Sequence, residues 1–317
     1  MSEILTITVN PAFDLSTEAP AVIPDQKLRC TVPLIHPGGG GVNVSRAISN
    51  LGGSSQPLIA YGGHTGEALV QMLRDEGLSP QSLGIPYPTR ESVSVRDAAN
   101  GLQYRFMMPG ETWTDADAAT ARHAILKALQ PGSLVVPSGS LPPGLPLDFF
   151  LDLNSDVTAA GGRMIVDTSG PALKHAADAG AGLYVLRMDL AEARDLSGEA
   201  LHDITDLANL AQSLRDAQVA EIVMIAADAQ GTVINTPDWC GLTRPPLVVP
   251  VSKIGGGDSF IGAFTLAIAR GQDPVAACAW GTAAAASAVT APGTDLCNRA
   301  DTERYLDQVL RSPLQIA

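Results

Sequence analysis

Asp258 lies in the run Gly255-Gly256-Gly257-Asp258-Ser259-Phe260-Ile261-Gly262-Ala263-Phe264. Glycines opening an apolar helical stretch leave bare backbone N–H groups at a helix start, where negative charge is favoured. An aspartate there has an ordinary use as a helix N-cap. It also has a chemical use. The amides of Gly255, Gly256 and Gly257 would stabilise charge developing on a transferring phosphoryl group. Asp258 would accept the proton of an attacking hydroxyl. On this stretch alone the two readings stand level.

A second cluster reads Pro37-Gly38-Gly39-Gly40-Gly41-Val42-Asn43-Val44-Ser45-Arg46. It also places glycines before a helix, so it is either a flexible turn or a site for an anion and close ligand approach. No Gly-Lys-Ser/Thr follows, which excludes a P-loop. Asn43 can both donate and accept hydrogen bonds, which suits a sugar hydroxyl. Two such sites in one chain point to two phosphate-bearing ligands. Asp14 follows Asn10-Pro11-Ala12-Phe13 directly after an apolar run. It is a turn residue beside proline, or a carboxylate at the end of a parallel strand, where α/β sites form. Lys27, Arg29, Arg90 and Arg105 fall in or beside two β-like segments; singly each is a solvated charge, together they suggest a basic cover over a phosphate.

Short apolar runs at Ile4 to Val9, Leu134 to Val136, Met164 to Val166, Leu183 to Leu186 and Ile222 to Ile225 read as buried strands. Helical stretches separate them: Val42 to Leu51, Gly66 to Asp75, Asp115 to Leu129, Leu147 to Ala160, Asp203 to Ala217 and Asp258 to Arg270. That alternation predicts a mainly parallel sheet covered on both faces. Phe13 to Leu34 is extended, with Pro20, Pro24 and Pro33. Glu91 to Met107 alternates around Asn100-Gly101, a strong hairpin signal. The two segments are expected to pair into a small β-sheet.

The chain has 317 residues, 45% of them hydrophobic and only 4% aromatic, so Ala, Val, Leu and Ile must build the core. A net charge of -13 argues against general binding to nucleic acid or anionic membrane. It leaves room for an anionic small substrate held by a few arginines. Cys30, Cys240, Cys278 and Cys297 lack metal-ligand spacing and read as free, mostly buried thiols of a reducing compartment. No signal-peptide pattern opens the sequence, and Ala283 to Ala288 is too short to span a bilayer, so a cytoplasmic protein is expected.

From Thr8-Val9-Asn10-Pro11-Ala12-Phe13-Asp14 to Gly293-Thr294-Asp295-Leu296-Cys297 the chain resembles the PfkB, ribokinase-like sugar kinases. Within them it is similar to the subgroup of minor bacterial 6-phosphofructokinase, 1-phosphofructokinase and tagatose-6-phosphate kinase. The matching stretches include Lys27-Leu28-Arg29-Cys30, Pro37 to Asn43, Tyr104-Arg105-Phe106, Met108-Pro109-Gly110 and Ser138-Gly139-Ser140-Leu141-Pro142-Pro143-Gly144. The resemblance implies one domain over residues 1–317, a three-layer α/β/α sandwich with a β-sheet lid at about 13–34 and 89–108. It implies a homodimer whose lids clasp. Sugar phosphate would contact Asp14, Gly39, Gly40, Asn43, Arg90, Arg105, Ser138, Gly139 and Ser140. Asp258 would be the base, with Gly255 to Gly257 as anion hole. The nucleotide would meet Arg187, Asp189, Ala226, Asp228, Gly231, Thr282 and Ala286. Mg²⁺ accompanying ATP would use Asp189 and Glu192, and K⁺ would use Ser252, Ile254, Ala288, Ala291 and Gly293. Lys27 matches a position linked to nucleotide regulation. The implied reaction is phosphorylation of the C1 hydroxyl of fructose 6-phosphate by Mg-ATP, with fructose 1-phosphate or tagatose 6-phosphate as alternative acceptors.

The sequence departs from the family mainly on the nucleotide side. Gly256 replaces an alanine of Gly-Ala-Gly-Asp, which removes one methyl group. Arg187-Met188-Asp189 stands where the family has Lys-Pro-Asn, and Ala226-Ala227-Asp228 where it has Ser-Leu-Gly; Gln230-Gly231 match. Arg keeps the charge of Lys without its compact ammonium, and Asp189 and Asp228 add carboxylates. An altered phosphoryl donor follows as one alternative, and a sugar-phosphate sensor without chemistry as another. A dinucleotide oxidoreductase is disfavoured because no GxGxxG follows the first strand.

Overall fold

The computed structural model describes residues 2–252, 254–291 and 295–315. Its strands are β1 (Ile4–Thr8), β2 (Ala12–Ala19), β3 (Leu34–Gly38), β4 (Gln56–Ile59), β5 (Gln81–Ser82), β6 (Arg90–Asp97), β7 (Gln103–Met107), β8 (Leu134–Pro137), β9 (Arg163–Asp167), β10 (Leu183–Asp189), β11 (Ala220–Ala226), β12 (Thr232–Asn235), β13 (Cys240–Arg244) and β14 (Leu310–Pro313). Its helices are α1 (Gly40–Asn50), α2 (Gly63–Asp75), α3 (Asp115–Ala128), α4 (Phe149–Ala159), α5 (Gly170–Asp178), α6 (Leu190–Ser197), α7 (Ile204–Asp216), α8 (Gly256–Ala269), α9 (Pro274–Val289) and α10 (Arg299–Leu306).

The large sheet runs β14-β13-β12-β11-β10-β9-β8-β1-β4-β5, parallel from β11 to β5 and antiparallel through β12, β13 and β14. Because side chains alternate across a strand, its central runs feed two cores. Val135, Met164, Val166, Val223 and Ile225 meet Ile125, Leu153 and Ala211 from α3, α4 and α7. Leu134, Val136, Ile165, Ile222 and Met224 meet Val44, Ile48, Phe260, Phe264 and Ala284 from α1, α8 and α9. That is the three-layer sandwich. Each fully buried residue of Phe or Leu size contributes roughly 1.5–3 kcal/mol of transfer free energy.

One close approach on the second face sets the site. A Cβ on Gly262 would lie 2.8 Å from Ala47 Cβ and 3.1 Å from Val44 O. Glycine there lets α8 lie directly on α1, which brings the first turns of the two helices side by side.

The second sheet has the order β3-β2-β6-β7, with β2 parallel to β6 and the other pairs antiparallel. Phe13 to Leu34 thus supplies a strand at each end, while residues 20–33 between them form no strand. The β6–β7 hairpin closes through a loop wider than the Asn-Gly pair alone. Gly101 N donates to Asp97 O at 2.8 Å, and the Asp97 carboxylate accepts from Val22 N, Ala99 N and Asn100 Nδ2. Leu34, Ile35, Phe106 and Met107 of this sheet are exposed. The helices of residues 170–178, 190–197, 274–289 and 299–306 and the antiparallel strands β12, β13 and β14 had no counterpart in the sequence reading. Among the described residues no helix is long and apolar enough to cross a membrane.

Candidate active site

Asp258 sits in the first turn of α8, one helical turn before Gly262, on a helix that begins at Gly256 rather than at Asp258. Gly255 is its N-cap with φ 77°, a left-handed conformation open to glycine. Gly256 and Gly257 therefore lie inside the first turn, whose N–H groups have no intrahelical acceptor. These are the amides an anion would find.

Asn43 Nδ2 donates to Asp258 Oδ2 at 2.9 Å. Burial pushes the Asp258 carboxyl up to about 7, helped by the negative charge of Asp167, while the Asn43 bond and Arg187 oppose it. A base with its midpoint there is matched to proton abstraction near neutral pH. Asn43→Ala removes a bond that favours the ionised form. We expect the acid limb of kcat/KM to move up by about one pH unit, which a pH–rate profile measures.

The glycines of residues 38–41 are required by what they touch. A Cβ on Gly38 would lie 2.1 Å from Asp14 Oδ2, and one on Gly40 would lie 2.3 Å from Ser138 Oγ and 2.7 Å from Gly139 N. One on Gly41 would lie 2.5 Å from Ile7 O. The run thus packs α1 against the ends of β1 and β8 and against Asp14, and Gly41 N donates to Ser138 O at 3.1 Å. Asn10 Nδ2 donates to Ser140 Oγ at 3.2 Å. Asp14, Gly39, Gly40, Asn43, Ser138, Gly139, Ser140 and Asp258 therefore belong to one locality.

Arg90 closes that locality from β6. Its Nη1 donates to Met108 O at 3.1 Å and its Nη2 to Asn10 O at 3.4 Å. Burial raises the Asp14 carboxyl, with Arg90 and then Arg105 pulling it back down. Arg105 itself is exposed on β7, and Lys27 and Arg29 are exposed in the 20–33 segment.

Asp167, absent from the sequence reading, completes the floor. It ends β9, accepts from Arg187 Nη1 at 3.1 Å and from Ser138 Oγ at 3.3 Å. The signal was available: Asp167 directly follows the predicted strand Met164 to Val166, the same logic that singled out Asp14.

On the nucleotide side the positions are dispersed. Asp189 caps α6 in a reciprocal box: Glu192 N donates to Asp189 Oδ1 at 2.9 Å and Asp189 N to Glu192 Oε2 at 2.7 Å. Burial pushes the Glu192 carboxyl up to about 7. Each carboxylate keeps one oxygen outside the box, so the pair can still supply oxygen donors to a hydrated divalent cation. Among the described residues no group of three or more His, Cys, Asp or Glu is gathered as a ready metal site. Ala226 ends β11, and a Cβ on Gly231 would lie 2.1 Å from Thr243 O. Thr282 and Ala286 are buried in α9, and the Thr282 hydroxyl is engaged by Thr243 Oγ1 at 2.7 Å and Cys278 O at 3.0 Å. Asp228 holds φ 49°. Asp228→Gly should therefore raise stability by about 0.5–1 kcal/mol in urea unfolding, the relief of left-handed strain less the extra entropy that glycine loses on folding.

Ser252 and Ile254 lie beside the end of α9: Ser252 N donates to Val289 O at 3.2 Å, and Ala291 N to Ala288 O at 3.0 Å. Gly293 lies outside the described residues. All four cysteines are free; Cys278 and Cys297 are buried, Cys240 is half-buried and Cys30 is exposed.

Residues 10–301 match the model of the pfkB family carbohydrate kinases. The chain is 36% identical over 304 residues to the ATP-dependent 6-phosphofructokinase isozyme 2 of Escherichia coli K12, covering 96% of this chain and 98% of that one. It superposes on the crystal structure of Escherichia coli phosphofructokinase-2 in complex with potassium with a TM-score of 0.92 and 35% identity, covering 97% and 99% of the two chains. The same relative in complex with fructose-6-phosphate gives a TM-score of 0.90 at 34% identity, with the same coverage. With its three-layer fold, its small second sheet and the glycine-opened helix that carries Asp258, this chain is a carbohydrate kinase of the PfkB family.

Proposed function

We propose that this kinase transfers the γ-phosphoryl group of ATP to the C1 hydroxyl of fructose 6-phosphate, giving fructose 1,6-bisphosphate. The observation that carries the reading is the Asp258 carboxylate, held by Asn43 at the amide-rich start of α8 and titrating near neutrality. The choice of acceptor and donor is supported by the relatives named above.

Asp258 takes the C1 hydroxyl proton as the new O–P bond forms and the bond to the β-phosphate oxygen breaks, releasing ADP. The amides of Gly256, Gly257 and Asp258 stabilise the charge on the moving group. Asp14 and Asn43 orient the sugar hydroxyls, and Arg90 and Arg105 take its phosphate. Asp189 and Glu192 would hold Mg²⁺, which neutralises nucleotide phosphate charge when bound. The segment of Ser252, Ile254, Ala288 and Ala291 would serve K⁺, the ion in the relative's complex. The exposed apolar side chains of the small sheet support a homodimer formed through it, with Lys27 beside that interface. Free thiols support a cytoplasmic setting.

The test is a coupled assay with fructose 6-phosphate, fructose 1-phosphate, tagatose 6-phosphate and free fructose, each with Mg-ATP. Fructose 6-phosphate should give the highest kcat/KM; preference for another sugar overturns the acceptor assignment. In the same assay Arg90→Met should lower kcat/KM for the phosphorylated sugar by about 10- to 100-fold, the worth of one hydrogen bond to a charged group. Free fructose should lose less, because it has no phosphate for Arg90 and feels the change only through Asp14.

A further inference from the structure

The chain passes from the large sheet to the small one through residues 9–11, between β1 and β2, and returns from β7 to α3 through residues 108–114. Asn10 stands in the first crossing and touches the second. A Cβ on Gly110 would lie 2.5 Å from Asn10 Oδ1, so glycine at 110 lets the returning chain lie directly over the Asn10 amide. The other end of that amide is also fixed. Asn10 Nδ2 donates to Ser140 Oγ at 3.2 Å and to Leu141 O at 3.5 Å. Ser140 and Leu141 belong to the turn after β8, which the bond from Gly41 N to Ser138 O ties to α1. One side chain is thus seated between the returning crossing and the turn after β8.

Arg90 hangs on the same two crossings. Its Nη1 donates to Met108 O in one and its Nη2 to Asn10 O in the other, while its buried Nε has no hydrogen-bond partner. The aim of the guanidinium therefore depends on two main-chain carbonyls. A neutral carbonyl orients a guanidinium without cancelling its charge, as a carboxylate partner would, and that charge is what a phosphate pairs with.

We infer that Asn10 is the positioning residue for Arg90: its side-chain amide, seated under Gly110 and pinned to Ser140 and Leu141, sets the carbonyl that aims the guanidinium and thereby the preference for phosphorylated over free sugar. This rests on the reading of Arg90 as a phosphate contact given above. Asn10 need not touch the sugar. It acts through Arg90, so its effect must vanish when Arg90 is gone. A purely structural Asn10 would act on every acceptor alike, with or without Arg90.

The test is a double-mutant cycle read by calorimetric titration of fructose 6-phosphate into the nucleotide-free protein. Asn10→Ala should weaken binding about 5- to 10-fold, the worth of one hydrogen bond. In the Arg90→Met background the same substitution should add less than about twofold, because the two residues share one interaction. Gly110→Ala drives a methyl group into Asn10 Oδ1 and should reproduce both results; it carries the cycle alone if Asn10→Ala does not fold. In the coupled assay Asn10→Ala should raise KM for fructose 6-phosphate by a similar factor, with kcat, KM for ATP and kcat/KM for free fructose changed less than about twofold. Full additivity with Arg90→Met, or equal losses for fructose 6-phosphate and free fructose, overturns the inference. A wild-type protein that binds fructose 6-phosphate but phosphorylates no sugar overturns the proposed reaction alone, and the titration still decides whether Asn10 acts through Arg90. A wild-type protein that binds no fructose 6-phosphate overturns both.

Discussion

Asp258→Asn is expected to cut kcat by roughly 10²- to 10⁴-fold, the contribution of a positioned general base, while raising thermal stability at pH 8. Both effects come from one group. An asparagine cannot take the hydroxyl proton, yet it keeps the size of the side chain and an acceptor for Asn43. The folded protein holds the Asp258 proton up to about 7, against an ordinary aspartate value of 3.8. The native state therefore binds this proton more tightly than the unfolded chain does. The group's contribution to stability is fully present below about pH 4 and is lost as pH rises through 7. Each pKa unit is worth on the order of 1.4 kcal/mol at most for a group that keeps some contact with the cleft. In calorimetry the variant's advantage should be absent at pH 4, grow to about pH 7 and level off above it. A variant equally stable at every pH would show that Asp258 is not held against its charge.

Gly40→Ala should cost nearly as much activity by a different route. Its Cβ would stand 2.3 Å from Ser138 Oγ and 2.6 Å from Ser138 C, where backbone rather than a flexible side chain must yield. The start of α1 and the turn after β8 have to separate. A displacement near 1 Å at a reacting centre costs about 100-fold in rate, and overpacking of this kind costs about 1–3 kcal/mol of stability. Asn43, one turn along α1, would be carried off Asp258. Kinetics and a urea melt on the same preparation separate the two costs. Unchanged kcat in a destabilised variant would mean that α1 gives way elsewhere.

Much of this was legible in the residues. Buried strands such as Ile222 to Ile225 and Met164 to Val166 announce themselves as short apolar runs, because both faces of a parallel sheet are covered. The hairpin around Asn100-Gly101 was equally readable, as was the placement of Asn43 and Asp258 near the starts of glycine-opened helices. Helix α9 was not, because its alanine-rich run is apolar on all sides and has no amphipathic period to detect. Strands β12 to β14 were missed because they alternate only weakly and lie after the parallel pattern has ended. Asp167 carries the same signal as Asp14, a carboxylate directly after a predicted strand, but its bond to Arg187, twenty residues away, exists only in the folded sheet. The resemblance assigns Asp189 and Glu192 to a metal, and their spacing of three also makes a helix cap. The sequence carries that spacing without saying which use the carboxylates serve.

Strand β3 ends at Gly38 and helix α1 begins at Gly40, so a single residue, Gly39 with φ 114° and ψ 141°, joins the small sheet to the helix whose Asn43 bonds the base. There is no slack between them. A rocking of the small sheet over an acceptor would reach Asn43 through one pair of backbone torsions, as a lever acts across its fulcrum. The part of the molecule that grips the sugar would thereby also set the aim of the group that deprotonates it.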